Sequence, residues 1–188
     1  MGKRIAIIGG GNLGTAIAEG LLKSKFSKAS ELTVTKRNVA TLKLLKGKGI
    51  DITDNNAAAV KRSEVIILAV KPFQVSDVLN SFKKELNGTK LIISVVTGIT
   101  ISEMGSIIKK NMPLFRAMPN TAIAIQESMT CICSQHANAM DIKYVQDLFN
   151  TLGKVVTIDE KLMEAATILG ACGTAYAMRY IRANIQGG

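Results

Sequence analysis

The sequence predicts an α/β protein in which a doubly wound, mostly parallel sheet is followed by the start of an all-helical C-terminal domain. Three observations support this prediction. Short apolar runs typical of buried parallel strands alternate with stretches of helical period. The first run, Ile5–Ile8, leads directly into a glycine-rich turn. From Asp159 onward the alternation stops, and one long apolar stretch follows.

The individual elements follow from the spacing of apolar residues along the chain. Apolar or alternating runs predict strands at residues 5–8, 32–35, 50–52, 64–70, 91–96, 114–118, 129–133 and 155–158. Helical spacing predicts helices at residues 13–23, 39–45, 75–86, 102–109 and 139–150. Strands and helices that alternate in this way are typical of a sheet covered by helices on both faces.

The last part of the chain has a different character. No charged residue occurs between Glu164 and Arg179, and apolar or small side chains cover every face of the predicted helix. A helix of this kind must be buried on all sides, and this one is too short and too rich in glycine to span a bilayer. We therefore predict two domains: residues 1–158 form the sheet domain, and residues 159–188 form the first helix of a helical domain. We interpret the second domain as truncated, to be completed by further chain or by a partner subunit.

The charge of the chain narrows the classes of ligand. Its 188 residues include 24 Lys and Arg against 14 Asp and Glu, which gives a formal charge of +10. Such an excess attracts nucleic acid, anionic membranes or phosphorylated small molecules. Nucleic-acid binding favours basic clusters with stacking aromatics, whereas aromatics make up only 4% here. We therefore predict a small phosphate-bearing ligand, with no nucleic acid and no membrane as partner. The N-terminal apolar run is too short for a signal peptide, so we expect a cytoplasmic protein.

The cysteines and the single histidine do not indicate a metal site. Cys131, Cys133 and Cys172 form neither an even disulfide framework nor a zinc spacing, and His136 cannot complete a site with them. We predict no metal, and we interpret the cysteines as small buried residues of a reduced protein.

The strongest motif is a G-x-G-x-x-G pattern at the turn from the first strand to the first helix. Gly9 permits the tight turn, Gly11 lets a pyrophosphate approach the backbone, and Gly14 lets helix and strand pack closely. The helix N-terminus then offers free N–H groups and a partial positive charge to the phosphates. The motif predicts a Rossmann-type dinucleotide site formed by Gly9, Gly10, Gly11, Asn12, Leu13 and Gly14.

The end of the second strand indicates which dinucleotide is bound. Enzymes that use NAD place Asp or Glu there to bind the ribose 2′-hydroxyl, but this chain has Lys36, Arg37 and Asn38. A guanidinium can bind a 2′-phosphate through two charge-assisted hydrogen bonds. We therefore predict that NADPH is preferred over NADH, and that residues 1–158 are an NADP-binding domain.

The loops after the later strands are expected to face the same ligand, because ligands lie at the carboxyl ends of the strands. Ala69, Val70, Lys71 and Pro72 leave the fourth strand, and Val96, Thr97 and Gly98 leave the fifth. The sixth strand ends in Arg116-Ala117-Met118-Pro119-Asn120-Thr121. Asn120 and Thr121 offer a donor and acceptor pair suited to a carboxamide or a small polar substrate.

Together these motifs resemble those of pyrroline-5-carboxylate reductases. The set IIGGGNLG, TKRN, LAVKP, SVVTGIT and RAMPNTA occurs here in the order and spacing of that family. The family reduces the C=N bond of 1-pyrroline-5-carboxylate to proline with NAD(P)H, the last step of proline synthesis. Its members have a Rossmann domain and a C-terminal helical domain through which they form dimers and larger assemblies. The resemblance therefore implies the same reaction, with NADP as cofactor and a homodimer or larger homo-oligomer formed through the C-terminal domain.

The resemblance also implies individual site residues. It implies cofactor contacts at the glycine motif, at Lys36–Asn38, at Asn56, at Ala69–Pro72 and at Val96–Gly98. Met118, Asn120 and Thr121 are the implied candidates on the substrate side, whereas the catalytic residue is unassigned. The family motif S-G-S-G-P-A-Y is altered here at Gly170, Ala171, Cys172 and Thr174, and the substrate-carboxylate threonine of the family has no counterpart before Gly188.

Two alternatives to this function stay open at this point. One is an NADPH-dependent reductase of another imine or of a carbonyl compound. The other is a catalytically silent module that binds NADPH and regulates a partner. In the enzymatic interpretation the cofactor carries the chemistry and the protein supplies orientation.

Overall fold

A computed structural model describes residues 2–188. Its centre is an eight-stranded sheet with the order β3-β2-β1-β4-β5-β6-β7-β8. The strands are β1 Ile5–Ile8, β2 Leu32–Thr35, β3 Asp51–Thr53, β4 Val65–Leu68, β5 Leu91–Ser94, β6 Leu114–Met118, β7 Ser128–Gln135 and β8 Gly153–Thr157. The first six strands run parallel, β7 pairs antiparallel to β6, and β8 pairs parallel to β7. The predicted fold class, a doubly wound and mostly parallel sheet, is confirmed.

Helices cover both faces of this sheet. They are α1 Asn12–Lys23, α2 Lys43–Gly47, α3 Asn56–Lys61, α4 Val75–Phe82, α5 Ile101–Ile108, α6 Ala139–Asn150, α7 Met163–Ala166 and α8 Gly173–Gly187. A π-helical stretch, Thr167–Cys172, joins α7 to α8. None of the helices described in residues 2–188 is both long and apolar enough to cross a bilayer.

Two apolar clusters fill the space between sheet and helices. On one face, Ile17 and Leu21 of α1 and Phe149 of α6 pack against alternate residues of the central strands. On the other face, Leu79 of α4 and Met104 of α5 pack against the remaining residues of those strands. β1 and β4 are buried along their whole length, as is expected of strands covered on both faces.

Several boundaries differ from those predicted. β4 ends at Leu68 and β5 at Ser94, earlier than the apolar runs suggest. The amides of Ala69 and Val95 still donate to Ile8 and Leu68 of the neighbouring strands, at 2.8 and 3.0 Å, so backbone pairing extends one residue beyond each strand. Val70 lies against Gly9 of the glycine turn, and Val96 is buried. The helix predicted to reach residue 86 ends at Phe82 and continues as one 3₁₀ turn. Helix α3 was not predicted, because six residues give too little periodicity to detect.

The cysteine prediction holds only in part. Cys133 is buried, Cys131 is half-buried and Cys172 is exposed, so the expectation that all three are buried is wrong for Cys172. It is the last residue of the π-helical stretch, in which no residue is fully buried. Burial raises the pKa of Cys133 to about 11, so this thiol stays protonated near neutral pH. Within residues 2–188, no three His, Cys, Asp or Glu side chains gather as a metal site would require.

Lys90 stabilises the end of α3 and gives a testable prediction for the fold. Its buried ammonium donates to the carbonyl oxygens of Val60, Lys61 and Ser63, and burial lowers its pKa. Lys90→Met keeps the apolar stem but removes the ammonium that donates to these carbonyls. We expect the free energy of unfolding to fall by about 1–3 kcal/mol. Urea denaturation measures this, with exposed Lys84→Met as the control, and equal stability of the two variants would contradict it.

Candidate functional site

The candidate site lies at the carboxyl ends of the parallel strands. The strand order reverses between β1 and β4, and ligands of such sheets bind at this switch point. The glycine turn leaves β1 at this position, and the loop Ala69–Pro72 leaves β4 beside it. The loops after β2 and β3 lie on one side of the turn, and those after β5 and β6 lie on the other. The fold thus places the ends of six strands, and the predicted residues that follow them, along one edge.

The glycine turn is held closely against its neighbours. The amides of Gly9 and Gly10 both donate to the carbonyl of Thr35, at 3.2 and 2.7 Å. Gly9 has a φ of +112°, and a Cβ there would overlap the carbonyl of Ala69. A Cβ on Gly14 would overlap the carbonyl oxygen of Gly9. Both glycines are therefore required by the packing of β1, α1 and the loop after β4.

Gly11 differs from its two partners in the motif. A Cβ at this position would meet no atom of the chain within 4 Å, so packing alone does not require glycine there. Gly11 is also the N-cap of α1, and no side chain caps the helix. The first hydrogen bond of the turn runs from Thr15 to Gly11, at 2.9 Å. The amides of α1 ahead of Thr15 have no acceptor within the helix, and the helix dipole lies behind them, an arrangement suited to a phosphate.

The loop after β2 carries two basic side chains. The amide of Lys36 continues the pairing with β3 by donating to Thr53, at 3.0 Å. Arg37 is exposed and belongs to none of the ion pairs found among residues 2–188. The side chain of Asn38 accepts from Ala40 at 3.2 Å and caps the next 3₁₀ turn. The loop therefore offers uncompensated positive charge at the side of the glycine turn.

The remaining predicted cofactor residues border the same edge. Asn56 begins α3, and its side-chain amide nitrogen donates to the hydroxyl of Ser81 in α4 at 3.5 Å. Lys71 and Pro72 are exposed, and the amide of Lys71 donates to Gln74 at 3.3 Å. Thr97 and Gly98 are exposed beyond β5, whereas Val96 is buried. Gly98 has a φ of +76° with open space around it.

The loop after β6 is hydrogen-bonded to the C-terminal helical segment. Asn120 donates from its side-chain nitrogen to the carbonyl of Gly170 at 3.2 Å, and its side-chain oxygen accepts from Ala122 at 3.1 Å. Both ends of this amide are therefore engaged within the chain. Met118 is 7% exposed, with its sulfur 4.0 Å from the hydroxyl of Thr97. Thr121 is exposed and begins a 3₁₀ turn.

One charged pair close to this loop was not predicted from the sequence. Arg116 is 5% exposed in the middle of β6, and its guanidinium donates to Glu160 at 2.9 Å. The sequence did contain a signal for such a pair, because an arginine among the apolar residues of a buried strand needs a partner of opposite charge. The partner itself could not be read from the sequence, since Glu160 lies 44 residues further along the chain.

Comparisons of the sequence find one family model and several curated relatives. Residues 4–98 match the family described as "NADP oxidoreductase coenzyme F420-dependent". The chain is 40% identical over 196 residues to pyrroline-5-carboxylate reductase 1 of Dictyostelium discoideum, a match that covers 98% of this chain and 36% of that protein. It is 39% identical over 202 residues to pyrroline-5-carboxylate reductase 2 of the same organism, covering 99% of this chain and 68% of that protein.

A solved structure of a pyrroline carboxylate reductase is also similar to this chain. The pyrroline carboxylate reductase of Plasmodium falciparum, determined with NADP bound, superposes with a TM-score of 0.87 at 29% identity. The match covers 99% of this chain and 70% of that one. The chain thus spans about a third of the length of one curated relative and about two thirds of the other.

Proposed function

Because the chain belongs to the pyrroline-5-carboxylate reductase family, we propose that it reduces the C=N bond of 1-pyrroline-5-carboxylate to L-proline with NADPH. This is the last step of proline biosynthesis. One observation carries the proposal: the family motifs all lie along one edge of the sheet, around a glycine turn whose middle position faces open space.

The residues of this edge fit a dinucleotide. Gly11 leaves room for a pyrophosphate, and the uncapped N-terminus of α1 offers amides and positive potential to it. Lys36 and Arg37 supply charge for a 2′-phosphate, and no carboxylate stands among residues 36–38 to repel one. We propose further contacts from Asn38, Asn56, Ala69–Pro72 and Val96–Gly98, which border the same edge.

In the proposed reaction the chain orients cofactor and substrate and supplies no acid or base. When bound, NADPH supplies the hydride that the imine carbon accepts. The loops at residues 9–14, 36–38, 69–72, 96–98 and 118–121 contain no His, Asp or Glu. We therefore propose that the imine nitrogen arrives protonated, as an iminium ion, and that the chain donates no proton. Met118, Asn120 and Thr121 form the proposed substrate side, where the tie from Asn120 to Gly170 fixes the loop against the C-terminal segment.

We further propose that residues 1–158 are the NADP-binding domain and that residues 159–188 begin a helical dimerisation domain. Apolar side chains of the last helix lie open on its surface: Tyr176, Met178, Tyr180, Ile181 and Ile185 are all more than half exposed. Exposed apolar surface of this kind is typical of subunit interfaces. A second copy of the chain is the proposed partner, and a cytoplasmic location stays a prediction from the sequence.

Cofactor preference tests the proposed 2′-phosphate site. We expect Arg37→Ala to weaken NADPH binding about tenfold or more, because one bidentate charge-assisted contact is lost, and to leave NADH binding unchanged. Fluorescence titration of both cofactors measures this. Arg62→Ala is the control, since Arg62 pairs instead with Asp51 at 3.2 Å. If NADPH and NADH bind the unaltered chain equally tightly, the preference for NADP is wrong.

Turnover tests the reaction itself. The proposal predicts NADPH oxidation that depends on 1-pyrroline-5-carboxylate and yields proline. Oxidation with other cyclic imines or with carbonyl compounds, but not with this substrate, would support a different reductase. Tight NADPH binding with no turnover of any of them in a longer natural version of the chain would support a silent regulatory module.

A further inference from the structure

The pair of Arg116 and Glu160 is the most deeply buried ion pair in the described part of the chain. The Arg116 side chain is 6% exposed and that of Glu160 is 34% exposed. In the other four pairs both side chains are at least 40% exposed. Exposed pairs contribute little to stability, whereas a buried guanidinium depends strongly on its partner.

One oxygen of Glu160 holds two groups at once. Its Oε1 accepts from the Arg116 guanidinium at 2.9 Å and from the backbone amide of Ile101 at 2.8 Å. The amide of Ile101 belongs to the first turn of α5, where anions are stabilised. Glu160 thus joins β6 and α5 to the start of the C-terminal helical segment.

A second contact joins the same strand to the same segment. Asn120, four residues beyond Arg116, donates to the carbonyl of Gly170, which lies ten residues beyond Glu160. Between these two contacts, Met163 is fully buried in the apolar cluster that also contains Met118 and Cys133. The two polar contacts and the buried methionine fix how the helical segment lies over the loop after β6. We call this arrangement the β6 clamp.

Glu160 is the only carboxylate that forms an ion pair with Arg116 among the described residues. The Nε of Arg116 is buried without a hydrogen-bond partner among the described residues. A second carboxylate, that of Glu103, accepts through one oxygen from the backbone amide and the hydroxyl of Thr100, both at 2.7 Å, and forms no ion pair with Arg116. Loss of charge at position 160 would therefore leave the buried guanidinium without its paired carboxylate, and we expect the clamp to rearrange.

From this geometry we propose that Glu160 is a positioning residue for the imine-binding side of the site. This proposal rests on the proposed reductase function. Acting through Arg116 and the N-terminus of α5, it sets the distance between the Met118–Thr121 loop and the C-terminal helical segment. No hydrogen bond or ion pair of Glu160 reaches Gly9–Gly14 or Lys36–Asn38, so we expect the larger effect on the substrate side. Small displacements of substrate-positioning groups are expected to cost much activity.

The test compares Glu160→Gln with Asp159→Asn in the full chain. The glutamine keeps the acceptor for Ile101 but loses the charge that faces Arg116. Asp159 is the matched control, because it forms an exposed pair with Lys161 at 3.2 Å, next to Glu160 in sequence. We expect Glu160→Gln to raise KM for 1-pyrroline-5-carboxylate about tenfold or more and to leave the Kd of NADPH within about twofold. Asp159→Asn should change neither value.

A double variant separates positioning from stability. In Arg116→Met/Glu160→Met both charges are absent, and apolar replacement of a buried pair commonly restores stability. Methionine cannot accept from the Ile101 amide, so we expect Tm near that of the unaltered chain while KM stays raised. Recovery of KM together with Tm would overturn the proposal, as would an equal rise of KM and NADPH Kd in Glu160→Gln.

Hydrogen exchange tests the clamp without turnover. Amides of residues 163–187 should exchange about tenfold faster in Glu160→Gln and at the unaltered rate in Asp159→Asn. Should the unaltered chain show no imine-dependent NADPH oxidation, the proposed function fails, whereas the exchange result still decides whether Glu160 holds the segment. Unchanged exchange in Glu160→Gln would overturn the proposal.

Discussion

Replacing Gly11 with alanine is expected to weaken NADPH binding about 100-fold while changing the free energy of unfolding by less than about 1 kcal/mol. A methyl group at this position meets no atom of the chain within 4 Å. It would project into the space in front of α1, where the proposed pyrophosphate would lie against the free amides. Calorimetric titration with NADPH and urea denaturation measure the two quantities.

Gly47→Ala is the matched control for this experiment. Gly47 is also free of neighbours within 4 Å, but it lies at the end of α2, away from the glycine turn. We expect this variant to bind NADPH as the unaltered chain does. NADPH affinity within about threefold for Gly11→Ala would show that the pyrophosphate does not approach this position.

Replacing Gly14 with alanine should have the larger effect on stability. Its Cβ would overlap the carbonyl oxygen of Gly9 and lie 3.2 Å from a methyl group of Ile7. Because both neighbours belong to the tightly packed junction of β1 and α1, relief would require α1 to move away from the sheet. We expect a loss of about 3 kcal/mol or more in the free energy of unfolding, and loss of NADPH binding with it.

Gly105→Ala distinguishes this steric cause from a general effect of glycine replacement. Gly105 lies within α5, and its nearest neighbour would be Leu114 at 3.9 Å, an ordinary contact. This variant should be as stable as the unaltered chain or more stable, because alanine favours helix. Equal destabilisation by Gly14→Ala and Gly105→Ala, measured by thermal unfolding, would refute the proposed overlap.

Much of the fold could be predicted because its determinants are local. The apolar runs of β1, β2 and β6 end where the structure ends them. The runs of β4 and β5 are longer than their strands because the apolar residues that follow, 69–70 and 95–96, pack in the two apolar clusters beyond the end of the strands. The π-helical stretch at Thr167–Cys172 has no comparable sequence signal, and it coincides with the contact from Asn120 to Gly170.

The candidate site, like the fold, could be predicted only where its features depend on residues close together in sequence. The glycine turn and the basic loop at Lys36 follow from residues that are adjacent in sequence. The engagement of Asn120 depends on a carbonyl 50 residues away, and the partner of Arg116 lies 44 residues away. Neither pairing could be found from local pattern, because each exists only once the C-terminal segment lies over β6.

The most direct test of the proposed function follows the hydride itself. The chain is incubated with NADPH deuterated at the transferable position and with 1-pyrroline-5-carboxylate, and the product is examined by mass spectrometry. Hydride transfer to the imine carbon predicts proline that carries a single deuterium on the ring carbon that was double-bonded to nitrogen. Unlabelled product, or bound NADPH that is never oxidised in the presence of the imine, would contradict the proposed reaction.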